Sequence, residues 1–273
     1  MGGYELFGGY YRYFTGRQFW QRVGWVPLPL RTLMAAGLNR VSRPTWDCLL
    51  GRIATLVPAH SRYNLTGERM HQIARILGVD SPDLMYRSLV SHWQQPTAIV
   101  PGSQEPLTRL SDRQSWAQLP DFTQRMMFLD LVTYLPDDIL TKVDRASMGV
   151  SLESRVPFLD HRVVEFAWTI PLSMKIRHQR GKWLLRQVLH RYLPLELIER
   201  PKMGFGIPID EWLRSSLRDW AESLINPQRL QQQGFFNPAP IQEKWQQHLR
   251  GDRNWQYYLW DILMFQAWLD ENQ

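Results

Sequence analysis

The chain has 273 residues, with 32 lysines and arginines against 26 aspartates and glutamates, a formal net charge of +6. Hydrophobic residues make up 44% and charged residues 21%, which excludes disordered and fibrous classes and gives enough chain to bury a core. Cys48 is the one cysteine, so an internal disulfide and a cysteine-based zinc cluster are both excluded.

The N-terminal run Met1-Gly2-Gly3-Tyr4-Glu5-Leu6-Phe7-Gly8-Gly9-Tyr10 has no basic region followed by an apolar stretch, so it does not read as a secretory signal. Its paired glycines suit a phosphate nest, although the framing of a P-loop or dinucleotide fingerprint is missing. Phe19–Leu38 reads as a helix broken at Pro27 and Pro29. Arg22 and Arg31 interrupt it, and no run reaches the roughly 18 apolar residues of a membrane span. A cytoplasmic location is expected.

Pro44-Thr45-Trp46-Asp47 opens a helix toward Leu56, and Thr66-Gly67-Glu68-Arg69 opens the next, with Ile73, Ile76 and Leu77 at helical spacing. Ser81-Pro82-Asp83 is a start signal for a helix toward Trp93, a serine cap with proline at the first helical position. Gln94–Asp112, polar and proline-containing, reads as a surface connection. Phe122–Tyr134 is apolar on most sides, the pattern of a buried helix. Leu135-Pro136-Asp137-Asp138 restarts a helix to about Leu152. Further helices are predicted at His161–Thr169, Lys182–Tyr192, Ile209–Ile225, Pro240–Leu249 and Asn254–Asp270. Strand signals are scarce and no repeat recurs, so the expected class is mainly α.

Chemistry-bearing residues concentrate between Thr133 and Pro208. Leu140, Asp144 and Met148 share one helical face, which places Asp144 between apolar neighbours on a helix expected to pack inward. A buried carboxylate needs a partner, because an unpaired one costs several kcal/mol, on the order of 3–5. Ser151–Asp160 follows, where Glu153 and Arg155 either line a site or pair with neighbours while Asp160 caps the next helix. In Glu199-Arg200-Pro201-Lys202-Met203-Gly204-Phe205-Gly206-Ile207-Pro208 the prolines and glycines restrict the backbone around one ammonium. Lys202 suits a phosphate or a developing oxyanion, or it is a solvated lysine on a turn. The seven histidines have no ligand spacing on one helix, and no nucleophile elbow of a serine hydrolase occurs. Basic residues are dispersed without a lysine-rich run, so nucleic acid and membrane are not expected partners.

Tyr134-Leu135-Pro136-Asp137-Asp138-Ile139-Leu140-Thr141-Lys142-Val143-Asp144-Arg145-Ala146-Ser147-Met148, with Ser151-Leu152-Glu153-Ser154-Arg155-Val156-Pro157-Phe158-Leu159-Asp160, closely resembles the C-terminal part of the synthetase domain of glutamine-dependent asparagine synthetases. Lys182 in Arg180-Gly181-Lys182, the Arg200–Phe205 loop and Glu5-Leu6-Phe7-Gly8-Gly9-Tyr10 match the same family in the same order. The resemblance implies the helical portion of an adenine-nucleotide α-hydrolase-like α/β domain, with most of the parallel sheet missing from residues 1–273. It also implies an ATP-dependent carbon–nitrogen ligase that forms β-aspartyl-adenylate with magnesium and passes it to ammonia released from glutamine. Its implied catalytic residues are Lys202, Asp144 and Glu153. Lys202, Gly204 and Gly3 are the implied nucleotide- and pyrophosphate-binding positions.

Three departures accompany the resemblance. The family's Ser-Gly-Gly-x-Asp-Ser loop does not occur, no glutaminase cysteine stands at residue 2, and Tyr4 occupies the family's aspartate magnesium-ligand position. A phenol is a poor ligand for a hard dication. The expectation is therefore a truncated form, weakly active or inactive alone, whose missing half would leave apolar residues and tryptophans exposed. Alternatives are an interaction module that completes a separately encoded N-terminal half, and a relative that amidates another substrate.

Overall fold

The structure is a computed structural model that describes residues 1–54, 66–199 and 206–272. It is mainly helical, and among the described residues no strand forms. The chain falls into two compact units, Met1–Trp25 with Leu107–Gly204, and Val26–Pro106 with Phe205–Gln273.

The first unit contains a one-turn helix, Gly3–Leu6, and the longer helices Arg12–Val23, Phe122–Val132, Thr141–Met148, His161–Thr169 and Trp183–Leu189. Phe122–Val132 starts where the Asp121 carboxylate accepts from the backbone N–H groups of Thr123 and Gln124. Met126, Met127 and Leu129 are buried along it, as a helix apolar on most sides requires. Pro136 has no N–H to carry the ladder on. The helix stops at Thr133 and resumes as a wide π-helical turn, Leu135–Leu140, before Thr141–Met148. Leu6, Phe7, Ala167 and Ile170 form an apolar cluster with Leu131, Phe158 and Leu184 packed on it.

The second unit contains Leu28–Arg40, Arg43–Ala54, Gly67–Leu77 and Pro82–Val90, then five helices from Ile209 onward. Thr66 and Ser81 cap their helices as the sequence predicts, accepting from Arg69 and Leu84 N–H groups. Its core is a continuous apolar cluster that includes Leu213, Leu230, Ile241, Trp245, Leu259 and Leu263. Elsewhere in this unit Arg31 can be buried because its guanidinium donates to the carbonyls of Val26 and Val79, at 3.0 and 2.7 Å. Cys48 is exposed on Arg43–Ala54.

Four elements differ from expectation. Phe19–Leu38 is two helices, Arg12–Val23 and Leu28–Arg40, separated at Gly24–Pro27. Ile209–Ile225 divides into Ile209–Arg214 and Arg218–Leu224, and at the break Ser215 donates its hydroxyl to the Glu211 carbonyl. Pro227–Gln233 is an additional helix, started by an Asn226 cap and a proline at its first position. The 94–112 connection is not entirely superficial, since Ile99 lies in the second unit's core and its carbonyl accepts from Asn237 N–H.

Candidate active site

In the first unit the glycine-rich N-terminal run is pressed against the Arg180-Gly181-Lys182 turn. Gly8 has φ +67°, a conformation that side chains rarely adopt, and a Cβ there would run into Ile176. Gly181 has no room for a Cβ either, because the Gly8 carbonyl occupies that space. Across this contact the Lys182 N–H donates to the Phe7 carbonyl at 2.8 Å, and Gly9 N–H donates to the Tyr4 carbonyl at 2.7 Å. Lys182 is itself left-handed, with φ +58°, as are His178 and Gln179 in the preceding turn. Non-glycine residues rarely hold that geometry unless their surroundings fix it.

This backbone sets the Lys182 ammonium 3.2 Å from the centroid of the Tyr4 ring. Burial, with help from the Arg186 charge, pushes the Lys182 pKa down to about 8, while nearby Glu5 works in the opposite direction. Glu5 is 2% exposed, and its Oε1 accepts from the Tyr10 hydroxyl at 2.7 Å. The other carboxylate oxygen, Oε2, is buried without a hydrogen-bond partner. Burial, and then Glu5, raise the Tyr10 pKa. The result is a partly desolvated ammonium on one turn and a buried carboxylate on the glycine-rich run packed against it, an arrangement suited to an anionic reactant.

A second layer supports it. The Arg12 guanidinium lies 4.2 Å above the Tyr10 ring and grips Asp130 with two bonds, at 2.6 and 3.1 Å. Tyr13 donates its hydroxyl to Asp130 at 2.6 Å, so the fully buried carboxylate is compensated from two sides. These residues were not anticipated as site residues. The available signal was an aspartate inside a helix apolar on most sides, which has to find a cation. Lys175, fully buried nearby in sequence, differs: its ammonium has no hydrogen-bond partner and sits 4.8 Å from the Trp168 ring centroid. Burial pushes its pKa down to about 8.

The anticipated residues are placed less compactly. Gly3 is buried in the one-turn helix, facing Leu185 and Phe158, not an open anion concavity. Asp144 is exposed, contrary to the expected inward carboxylate. The shared face holds, but Met148 on it is 52% exposed; spacing fixes which residues share a face and not the direction it points. Glu153 is exposed and pairs with exposed Arg155 at 2.7 Å, and Asp160 caps His161–Thr169 through the Arg162 N–H. The Arg162 hydrogen bonds hold the Asp160 carboxyl down at about 2. Lys202 and Gly204 lie outside the described residues.

A magnesium ion at residue 4 does not fit these surroundings. The Tyr4 ring already carries the Lys182 ammonium, which would repel a dication, and Glu5 is engaged by Tyr10. Among the described residues no three histidine, cysteine, aspartate or glutamate side chains cluster as metal ligands, and no helix is long and apolar enough to cross a membrane.

Residues 1–270 match the profile of the family described as asparagine synthase. A Mycobacterium tuberculosis protein provisionally named asparagine synthetase (glutamine-hydrolyzing) is 30% identical over 98% of this chain and 38% of its own length. Asparagine synthetase (glutamine-hydrolyzing) 1 of Bacillus subtilis is 31% identical over 53% of this chain and 22% of its own. The amidase chry2 of Gibberella zeae is 28% identical over 45% and 19%. The chain thus spans about two fifths, or less, of the length of these relatives. No solved structure matches. With the Glu5–Tyr10 run, the Lys182 turn and the Thr133–Asp160 segment all inside the matched region, the chain belongs to the asparagine synthase family.

Proposed function

We propose that residues 1–273 serve as the C-terminal part of the synthetase domain of an ATP-dependent ligase that joins ammonia to the side-chain carboxyl of aspartate. In this reading ATP and aspartate give β-aspartyl-adenylate and pyrophosphate, and ammonia from glutamine displaces AMP to give asparagine. The observation that carries it is the Lys182 ammonium, held by the Gly8–Gly181 contact on the glycine-rich turn beside the buried Glu5. A cation fixed by backbone geometry stabilises charge on a phosphate without reorganising. Lys202 is proposed as the second cation, at the phosphate and the reacting centre, and Gly204 and Gly3 as backbone contacts to the nucleotide. Asp144 and Glu153, both exposed, are proposed to face aspartate and the adenylate. The fold proposed around them is the α/β domain of adenine-nucleotide α-hydrolases.

The test is aspartate-dependent exchange of pyrophosphate into ATP. We expect weak exchange by residues 1–273 alone, because their sequence contains no Ser-Gly-Gly-x-Asp-Ser loop, and recovery on mixing with a polypeptide that carries it. Robust exchange by the chain alone overturns the assignment of weak activity. No exchange after mixing, or exchange unaffected by Lys182→Met in the mixture, overturns the role of Lys182. Running the exchange with other carboxylic acids distinguishes an aspartate ligase from one that amidates a different acid.

A further inference from the structure

The second unit contains a cleft of about 670 Å³, walled by the helices Gly67–Leu77 and Pro238–Leu249 and by residues 91–99 and 253–258. That is within the roughly 300–1,000 Å³ typical of small-molecule sites. Its lining is aromatic and cationic together. Trp93, Trp255 and Tyr258 meet edge to face, with ring centroids 5.3 Å apart for Trp93–Tyr258 and 4.8 Å for Trp255–Tyr258. The Lys244 ammonium lies 4.1 Å from the Trp255 centroid and 5.4 Å from that of Trp93, and the Arg253 guanidinium is 5.5 Å from the same Trp255 ring. Arg75 enters from the opposite helix and donates to the Tyr258 hydroxyl at 2.6 Å.

Three cations therefore face this space, against one lining carboxylate, Glu68, whose pKa is raised by burial. Among the described residues Lys244 has neither a hydrogen bond nor an ion pair, although it is half-buried. Burial lowers its pKa, the Glu243 carboxylate opposes that shift, and Arg253 adds to it. His71, 8% exposed and also lining the cleft, is held neutral by burial, its pKa down at about 4, and its Nε2 has no partner. Of the two cations sharing the Trp255 indole, Arg253 donates to the Asn39 carbonyl and Oδ1 at 3.2 and 3.1 Å, whereas Lys244 has no oxygen within hydrogen-bond reach among the described residues and is the incomplete one. Ammonium and guanidinium groups in low dielectric are ordinarily matched by oxygens.

We infer that this cleft is a binding site for a small oxyanion carried on a flat apolar ring, with Lys244 and Arg253 taking the oxygens and Trp93, Trp255 and Tyr258 the ring. The site belongs to the second unit and is independent of the ligase reading of the first. It is tested by isothermal titration of the full chain with phenyl phosphate, benzoate and inorganic phosphate, each to about 10 mM, the range in which weak single-site binding is measurable. Saturable one-to-one binding of phenyl phosphate or benzoate is expected, the tighter of the two naming the oxyanion. Inorganic phosphate should bind at least about tenfold more weakly, since it lacks the ring. Lys244→Met, which keeps the stem on the rings, should lower affinity about tenfold or more, while Lys244→Arg retains binding. Circular dichroism and thermal melting establish that both variants fold. Absence of saturable binding to the wild-type chain overturns the site. Equal affinity for folded Lys244→Met overturns the role of Lys244, and equal affinity for inorganic phosphate overturns the role of the rings.

Discussion

The two units bury different things. The first threads its interior with charge: Glu5, Asp130 and Lys175 are all 2% exposed or less, and each has a different degree of compensation. Asp130 is fully satisfied, Glu5 uses one of its two oxygens, and Lys175 has only an aromatic ring. The second unit keeps an apolar core, buries Arg31 on backbone carbonyls, and lines a cleft with Arg75, Lys244 and Arg253. The difference teaches that, among the described residues, the buried carboxylates gather in the unit that carries the glycine-rich turn, while the buried arginine of the second unit is met by backbone carbonyls.

The strongest way to break that comparison is to remove one partner of the best-satisfied group. Asp130→Ala removes the buried carboxylate that Arg12 and the Tyr13 hydroxyl grip and should cost about 3–5 kcal/mol, measured by urea denaturation. Replacing both ends, Arg12→Leu with Asp130→Leu, should recover most of that loss. A single mutant within about 0.5 kcal/mol of wild type would show that the charge pair is idle. In the second unit Trp245→Ala empties a site that is 2% exposed and should cost about 3–5 kcal/mol by cavity formation alone. Its effect should not depend on salt, since no charge is removed.

Lys175 sharpens the contrast through pH. Its folded pKa of about 8 lies below its ordinary value of 10.5, so between these values the unfolded chain binds more protons. Stability should then rise as pH increases from about 8 to about 9.5, below the range where tyrosines ionise. Lys182 contributes in the same direction. Lys175→Met should raise stability at pH 7 and flatten part of the rise, as followed by denaturation midpoints at each pH. A pH-independent midpoint in the wild-type chain would contradict the buried ammonium. The smallest expected effect is Ser81→Ala, which removes a helix cap in the second unit for about 1 kcal/mol, read as a shift in melting temperature.

What the sequence makes legible is what neighbouring residues decide. Ser81-Pro82 and Thr66 announce helix starts because capping is local, and both helices begin there. Asn226-Pro227 carries the same signal and starts the additional helix Pro227–Gln233. Asp144 marks the limit of periodicity, since its helix has a defined apolar face that lies at the surface of the described unit. Arg12 and Asp130 mark another: they are separated by 118 positions, and nothing local links them. The family resemblance was legible because motif order survives even where Tyr4 breaks a motif. Exposed apolar side chains of the first unit include Trp25, Val150, Leu152 and Phe166. In the second unit Trp245 builds the core and Trp93 and Trp255 the cleft, while Trp212 and Trp268 are exposed.

Cys48 has a practical consequence. Because it is the one thiol in the sequence and is exposed, a maleimide dye or nitroxide attaches at a single defined point, on the helix Arg43–Ala54. A second cysteine introduced at an exposed first-unit position, such as Ser151, would provide a pair of labels. The distance distribution between them, measured with and without nucleotide, would report on the arrangement of the two units directly.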